Sequence, residues 1–446
     1  MRVVWIALLA ASCVPARAQV FEPVDRDLRR LGLEVSWTEA PRTTAAIDRL
    51  LAAPIDRDAV IRIALARNAR LQARFEDLGI ARSRIADATV LPLTTVDFDY
   101  KLGVSSSASE VEGFAVQDVL DLIQLGQRRA IAGSELAAAQ ARATEAVVTL
   151  AAEVEVAFYD LSAAEQDREL VETAFAAAGA SADLVERQHA AGNATDLALA
   201  REQAQREQLH VDLTAAEAAV ARRRARLAAL LGLRAGEPAI SVAGRLPDVP
   251  AEAPKLDDLE RGAQAASLAA AALRDDAAAA AARHRYATVR AFLPELGVGA
   301  AVARREGEGW TVGPAVRIGI PLFDQQQGPR VRALAEERRA RDELAATASD
   351  LDAAAQDARS RALQTFAEAR RLHDVVLPLR QRVLQQTLLQ YNAMNASTFE
   401  LLTARRDVVD AGRRYLDALR RYWDAMAAVA ALRRGGHIPS PMEESP

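Results

Sequence analysis

Residues 60–232 are read a second time about two hundred positions later, in a single register. Leu91-Pro92 returns as Leu293-Pro294, Gly126-Gln127-Arg128 as Gly328-Pro329-Arg330, and Asn193-Ala194-Thr195 as Asn395-Ala396-Ser397. Each pair stands 202 positions apart. An internal duplication of this length sets the architecture before any motif is considered. Each copy carries the same order of parts: a long helix, short alternating strands, then two very long helices.

Within each copy the apolar period changes along the chain. Val60, Ile63, Ala64, Leu71, Leu78 and Ile85 recur at helical spacing from a start at Asp56 or Asp58, and Pro92 closes that helix. Immediately afterwards Val96, Phe98, Tyr100 and Leu102 alternate with Thr95, Asp97, Asp99 and Lys101, the period of a strand with one apolar face. A turn at Ser105–Ser109 leads to a second, blurrier run over Phe114–Ile123. In the second copy Leu296, Val298, Ala300 and Val302 alternate, and after the turn Arg304–Gly309 so do Trp310, Val312, Val316, Ile318 and Ile320. Pro314 predicts a bulge or a local loss of pairing there. These strands are about ten residues each, the length a tilted strand needs to cross a bilayer. The remaining stretches, from Gly133 to Ala190 and Asp196 to Leu231, and from Arg330 to Tyr391 and Ser397 to Arg434, are helical. Val147, Leu150, Val154, Ala157 and Leu161 form one seam, and Leu372, Val376, Leu379 and Val383 another. Roughly 60 residues at about 1.5 Å each make a rod on the order of 90 Å. Pro378 predicts a kink.

Composition agrees with close-packed helices: alanine dominates and aromatics are 4%. Lys+Arg (56) nearly balance Asp+Glu (61), and a net charge of −5 offers no footprint for nucleic acid. Arg222-Arg223-Arg224 reads as a solvated helix face. The first residues, a basic start, an apolar run and Ala16-Arg17-Ala18, form a secretory signal. Two readings of its end stand open: cleavage after Ala18, or lipidation of Cys13 within Ala10-Ala11-Ser12-Cys13. No segment offers a membrane-spanning helix, because Ala265–Ala282 carries Arg274, Asp275 and Asp276 at its centre. Strands must therefore make any membrane passage. Four strands leave two open edges, which lipid does not tolerate, and three chains supplying twelve strands between them would close a barrel.

The order and duplication of these pieces resemble the bacterial outer-membrane efflux protein (TolC) family over essentially the whole mature chain. The carrying residues are Ala64-Leu65-Ala66-Arg67-Asn68-Ala69-Arg70-Leu71, the Leu-Pro before each strand pair, the Gly-Gln-Arg or Gly-Pro-Arg after it, and the tips Ala191–Asp196 and Tyr391–Leu402. The resemblance implies a mainly α protein with a membrane β-barrel portion: a homotrimer whose 12-stranded barrel stands in outer-membrane lipid above a periplasmic helical tunnel. It further implies a passive exit duct working with a periplasmic adaptor (membrane fusion) protein and an inner-membrane efflux pump. Tyr391–Leu402 looks most like relatives associated with heavy-metal or cation efflux, although Met394 stands where the family usually has Gly. The same resemblance implies that Gly192, Asn193, Ala194, Thr195, Asp196, Met394, Asn395, Ala396 and Ser397 form the adaptor-contact tips. Asp196 reads there as a helix N-cap. Glu400 matches an acidic residue ringing the tunnel entrance, a candidate gate, with Thr403 where a second carboxylate is often found.

The expected organisation is a signal peptide at 1–18, an irregular segment at 19–57, repeat 1 at 58–232 with its β-hairpin at 93–123 and helical hairpin at 127–232, and a linker at 233–256. Repeat 2 follows at 257–434, with a β-hairpin at 293–323 and a helical hairpin at 328–434, and a flexible tail at 435–446. No catalytic set, metal site or cofactor site is expected. The histidines (His189, His210, His284, His373, His437) are scattered, and Cys13 is the only cysteine. His189 and Met394 read as tip surface residues. A periplasmic coiled-coil adaptor, or a structural helical protein without a pore, is the alternative.

Overall fold

The computed structural model describes residues 14–37, 45–91, 94–101, 109–234, 240–321, 323 and 325–437. Cys13 and Ser105–Ala108 lie outside them. In chain order the helices and strands are α1 (Arg17–Arg30), α2 (Ala45–Leu51), α3 (Arg57–Arg67), α4 (Ala69–Thr89), β1 (Thr94–Lys101), β2 (Glu110–Asp118), α5 (Val119–Ile123), α6 (Leu125–Ala190) and α7 (Asp196–Leu230). There follow α8 (Leu259–Ala266), α9 (Leu268–Phe292), β3 (Leu296–Arg305), β4 (Thr311–Ile318), α10 (Gln327–Arg371), a π-turn (Leu372–Val376), α11 (Leu377–Asn392) and α12 (Thr398–Arg433). The starts of α6 and α10 are 202 positions apart, as are those of α7 and α12. Among the described residues no helix is long and apolar enough to cross a membrane.

The chain divides into two compact units. The first takes residues up to 30, then 74–144 and 268–349. Here α1 lays Val20, Val24 and Leu28 into the core, although irregular backbone is expected at that place. Phe21 meets the edge of Phe75 at 5.2 Å, Arg17 pairs with Glu76 at 2.8 Å, and Gln140 donates to the Val20 carbonyl. Alanine lets the helices approach closely, since interaxial distance follows side-chain size at the contact. Ala270, Ala272, Ala279, Ala280 and Ala282 of α9 are all buried. Two largely buried carboxylates, 202 positions apart, tie these helices together. Glu135 accepts from Arg84 at 3.0 Å and Arg283 at 2.7 Å, and Glu337 accepts from His284 at 2.6 Å and from Arg341.

The second unit takes 31–73, 145–267 and the stretch from 350 onward. Asp56 caps α3, its side chain accepting from Ala59 N at 2.7 Å. One continuous helix is expected from there to Ile85, but the chain breaks at Asn68. The Asn68 carbonyl oxygen of the side chain takes Leu71 N–H at 3.1 Å and its amide donates to the Leu230 carbonyl at 2.9 Å. Gly232, at φ +68, sits so close that a Cβ would lie 2.8 Å from the Arg67 carbonyl oxygen. The expected kink at Pro378 takes the form of a wide turn. Leu377 N–H reaches back five residues to Leu372 O, and Pro378 stands in the first turn of α11, where its missing N–H is not needed. The segment joining the repeats packs along α12: Trp423 donates to the Pro247 carbonyl at 2.8 Å and Tyr415 hydroxyl to Asp248 at 3.3 Å. Burial pushes the Tyr415 phenol up to about 12, and Asp248 adds to it. The start of the C-terminal tail is likewise held. A Cβ on Gly436 would meet the Val148 side chain at 2.7 Å, and Thr149 donates to the His437 carbonyl.

Candidate pore-forming sheet and hairpin tips

The four strands form one antiparallel sheet in the order β1-β2-β3-β4, so the hairpins of the two repeats are joined through β2 and β3. Register places Phe98, Gly113, Val302 and Val312 in one row across the sheet, and Val96, Ala115, Ala300 and Pro314 in the next. This face is apolar and open to its surroundings. Val96 is 73% exposed, Phe98 71% and Val312 73%, with Tyr100, Trp310, Val316 and Ile318 also exposed. Taking such side chains out of water gains about 1.5–3 kcal/mol each, so a contiguous apolar face of this kind requires a cover. Pairing runs unbroken through Pro314, against expectation. β4 is an edge strand, where a missing ladder donor is tolerated.

The opposite face is charged. Lys101 pairs with Glu112 at 2.7 Å and Arg305 with Glu110 at 3.6 Å. Arg317 of β4 reaches Asp97 of β1 at 3.0 Å and Glu295 at 3.4 Å. Strands β1 and β4 are the two edges, three spacings apart, about 14 Å in a flat sheet. That contact therefore requires the sheet to curl with its charged face inside. Glycine permits the curl: a Cβ on Gly299 would strike the backbone of Ala115, and one on Gly297 would lie 2.5 Å from the Val116 side chain. The second run ends sooner than expected. Asp118 caps Val119–Ile123 into α5, its carboxylate accepting from Asp121 N at 3.0 Å. Between the hairpins Ser109 N–H donates to Glu306 Oε2 at 3.1 Å, and Glu306 N–H returns to the Ser109 carbonyl at 2.9 Å.

The two helical hairpins turn at tips built alike. At the first, Gly192 has φ +77 and Asn193 N–H reaches back to the Gln188 carbonyl; at the second, Met394 has φ +62 and Asn395 N–H reaches the Gln390 carbonyl. Both are left-handed helix ends of the Schellman type. Thr195 caps α7 through Ala198 N at 3.2 Å, and Ser397 caps α12 through Glu400 N at 3.2 Å. Arg201 of α7 stacks 4.9 Å over the Phe399 ring of α12, so the tips are neighbours.

No protein-family model matches this sequence, and no curated protein does. Solved structures do. The outer membrane protein VceC from Vibrio cholerae matches with a TM-score of 0.69 at 18% identity, over 85% of this chain and 96% of that one. The Campylobacter jejuni CmeC outer membrane channel matches at 0.68 and 14%, over 86% of each chain. CusC, described for its conformational changes on folding and transmembrane channel formation, matches at 0.63 and 17%, over 90% of this chain and 98% of that one.

The chain has the fold of the TolC-family outer-membrane efflux channels.

On this TolC fold the residues singled out in the sequence take definite positions. Gly192, Asn193, Ala194 and Thr195 make the first turn and Met394, Asn395, Ala396 and Ser397 the second, with the Met394 side chain 94% exposed. The cap of α7 is Thr195 and not Asp196, which occupies the first helical position and accepts from His189 Nε2 at 2.7 Å. Glu400 closes a capping box: its Oε2 takes Ser397 N–H at 2.7 Å and Ser397 Oγ–H at 3.0 Å. Those bonds, the backbone one first, hold its carboxyl below the usual value, so the residue stays charged. The sequence signal for this box, Ser-x-x-Glu at 397–400, is present, although the family resemblance singled out Glu400 as a candidate gate instead. The ion pairs of the inner sheet face and the His189–Asp196 pair carry no local signal.

Proposed function

We propose that this chain is the outer-membrane channel of a tripartite efflux system, a passive trimeric exit duct. The observation that carries this reading is the curled sheet with an exposed apolar outside, a charged inside and two unpaired edges. Unpaired N–H and C=O groups cost several kcal/mol each in hydrocarbon, so β1 of one copy pairing with β4 of the next removes the cost. Three copies give a twelve-stranded barrel wide enough for a water-filled lumen. Phe98, Tyr100 and Trp310 suit the lipid interfaces, and the Arg304–Gly309 turn faces outside the cell. The tips at 192–196 and 394–397 receive the periplasmic adaptor, which links the duct to an inner-membrane pump. Around the trimer axis Glu400 contributes a ring of carboxylates at the entrance. The test is fractionation of full-length protein with outer membranes, a heat-modifiable trimer on gels, and conductance in planar bilayers. A monodisperse monomer in detergent with intact β signal and no conductance overturns the proposal.

A further inference from the structure

Where α12 packs on α6 and α7, charged side chains gather around one buried carboxylate, in a group unconnected with the sheet or the tips. Asp160 of α6 is 3% exposed. It accepts from Arg420 Nη1 at 3.0 Å and from Arg223 of α7, with Arg226 of α7 at 3.8 Å. The same Arg420 Nη1 donates to Asp424 Oδ2 at 2.8 Å, one turn further along α12. One guanidinium nitrogen thus serves two carboxylates. Arg420 Nη2 turns to Asp417 at 3.1 Å, and Asp417 is also held by Arg421. The other oxygen of Asp424, Oδ1, is buried without a partner.

A buried acceptor with no donor is costly, and two carboxylates sharing one nitrogen repel. Burial first, then Asp160, pushes the Asp424 carboxyl up to about 7, against the pull of Arg420, Arg223 and Arg226.

We propose that Asp160, Arg420 and Asp424 form a proton-operated latch that docks α12 on the α6–α7 hairpin. The proton comes from water onto the carboxyl of Asp424 and returns to water; only an O–H bond forms or breaks. With it in place, Arg420 serves Asp160 and Asp417, and α12 stays docked. Without it, Asp424 gains by turning its unpaired oxygen toward solvent, which loosens its hold on Arg420 and the docking of α12. Because α12 runs uninterrupted from Thr398, undocking reaches the second tip. The sign follows from linkage. A carboxyl whose folded value lies above its unfolded value of 3.8 stabilises fully below that value, and the gain is lost as pH rises through about 7.

The test uses the full-length protein in detergent. Difference infrared spectra between pH 6 and 8 are expected to show a protonated-carboxyl band that titrates near neutrality, is lost in Asp424→Asn, and moves to lower pH in Asp160→Asn. Melting temperature is expected to fall from pH 6 to 8 in the wild type and to stay level in Asp424→Asn. A wild-type band insensitive to Asp424→Asn, or an unchanged pH dependence of melting in that variant, overturns the latch. These readings need no conductance, so they remain valid even where the channel proposal fails.

Discussion

Arg317, on one edge strand of the sheet, donates to Asp97 on the other edge strand at 3.0 Å. Four strands cannot lie flat and make that bond, so the pair measures the curvature that turns the charged face inward. Both side chains are close to half exposed, so solvent screens the pair and it adds little to stability. Arg317→Gln is expected to lower the melting temperature only slightly, and in the proposed channel it leaves Asp97 and Glu295 uncompensated in the lumen. Single-channel reversal potentials are then expected to shift toward greater cation preference; an unchanged potential places Arg317 outside the conduction path.

The junction of the two repeats is expected to be the least forgiving part of the sheet. Gly299 lies against the Ala115 backbone, whereas nothing stands within 4 Å of where a Cβ on Gly313 would be. Gly299→Ala is expected to abolish the folded, heat-modifiable trimer by forcing β2 and β3 apart. Gly313→Ala is expected to assemble normally. Equal assembly of the two variants contradicts the pairing described.

At the tips, the left-handed positions differ in their residue. Met394 holds φ +62 and Gly192 φ +77. A side chain in this region costs roughly 1–2 kcal/mol, so Met394→Gly is expected to stabilise the second turn by up to about 1 kcal/mol after the added chain entropy is counted. Gly192→Ala is expected to destabilise the first by about 1 kcal/mol. Hydrogen exchange of the tip amides reads both, slower in Met394→Gly and faster in Gly192→Ala.

Glu400 is held below its ordinary 4.5 by Ser397, so its contribution to the start of α12 is present above that value and lost as pH falls below it. Exchange of the first α12 amides is expected to rise at acid pH in the wild type and to show no such step in Glu400→Gln. As a gate residue, Glu400→Gln is also expected to weaken block by divalent cations in bilayer recordings. Unchanged block and selectivity remove the gate role and leave the cap.

The N-terminus offers a mass measurement. Arg17 pairs with Glu76 and Val20 is buried, so a chain processed at Cys13 keeps the first turn of α1 and one cut after Ala18 loses Arg17. Intact mass of the mature protein decides between the two readings: an acylated Cys13 assigns lipidation. A mass beginning at Gln19 assigns the other cleavage.

The amino-acid sequence alone determined whatever rests on neighbours in the chain. The 202-residue offset placed both tips, and period-2 alternation placed β1, β3 and β4, whereas the cap of α7 fell one residue before the expected Asp196, at Thr195. Residues distant in sequence decided the rest. Asn68 breaks a regular helical pattern because its side chain has the Leu230 carbonyl to bond, a partner 162 residues away. Val119–Ile123 is apolar enough for a strand, but Asp118 caps it into a helix. Pro314 keeps its place in the β3–β4 ladder, which its sequence pattern did not predict, and strand pairing is a tertiary property. Nothing local in the sequence marks Asp160 or Asp424; packing of α6, α7 and α12 brings both to one arginine, and burial raises the Asp424 carboxyl. Periodicity encodes which side of an element is apolar; only packing decides which buried charges meet.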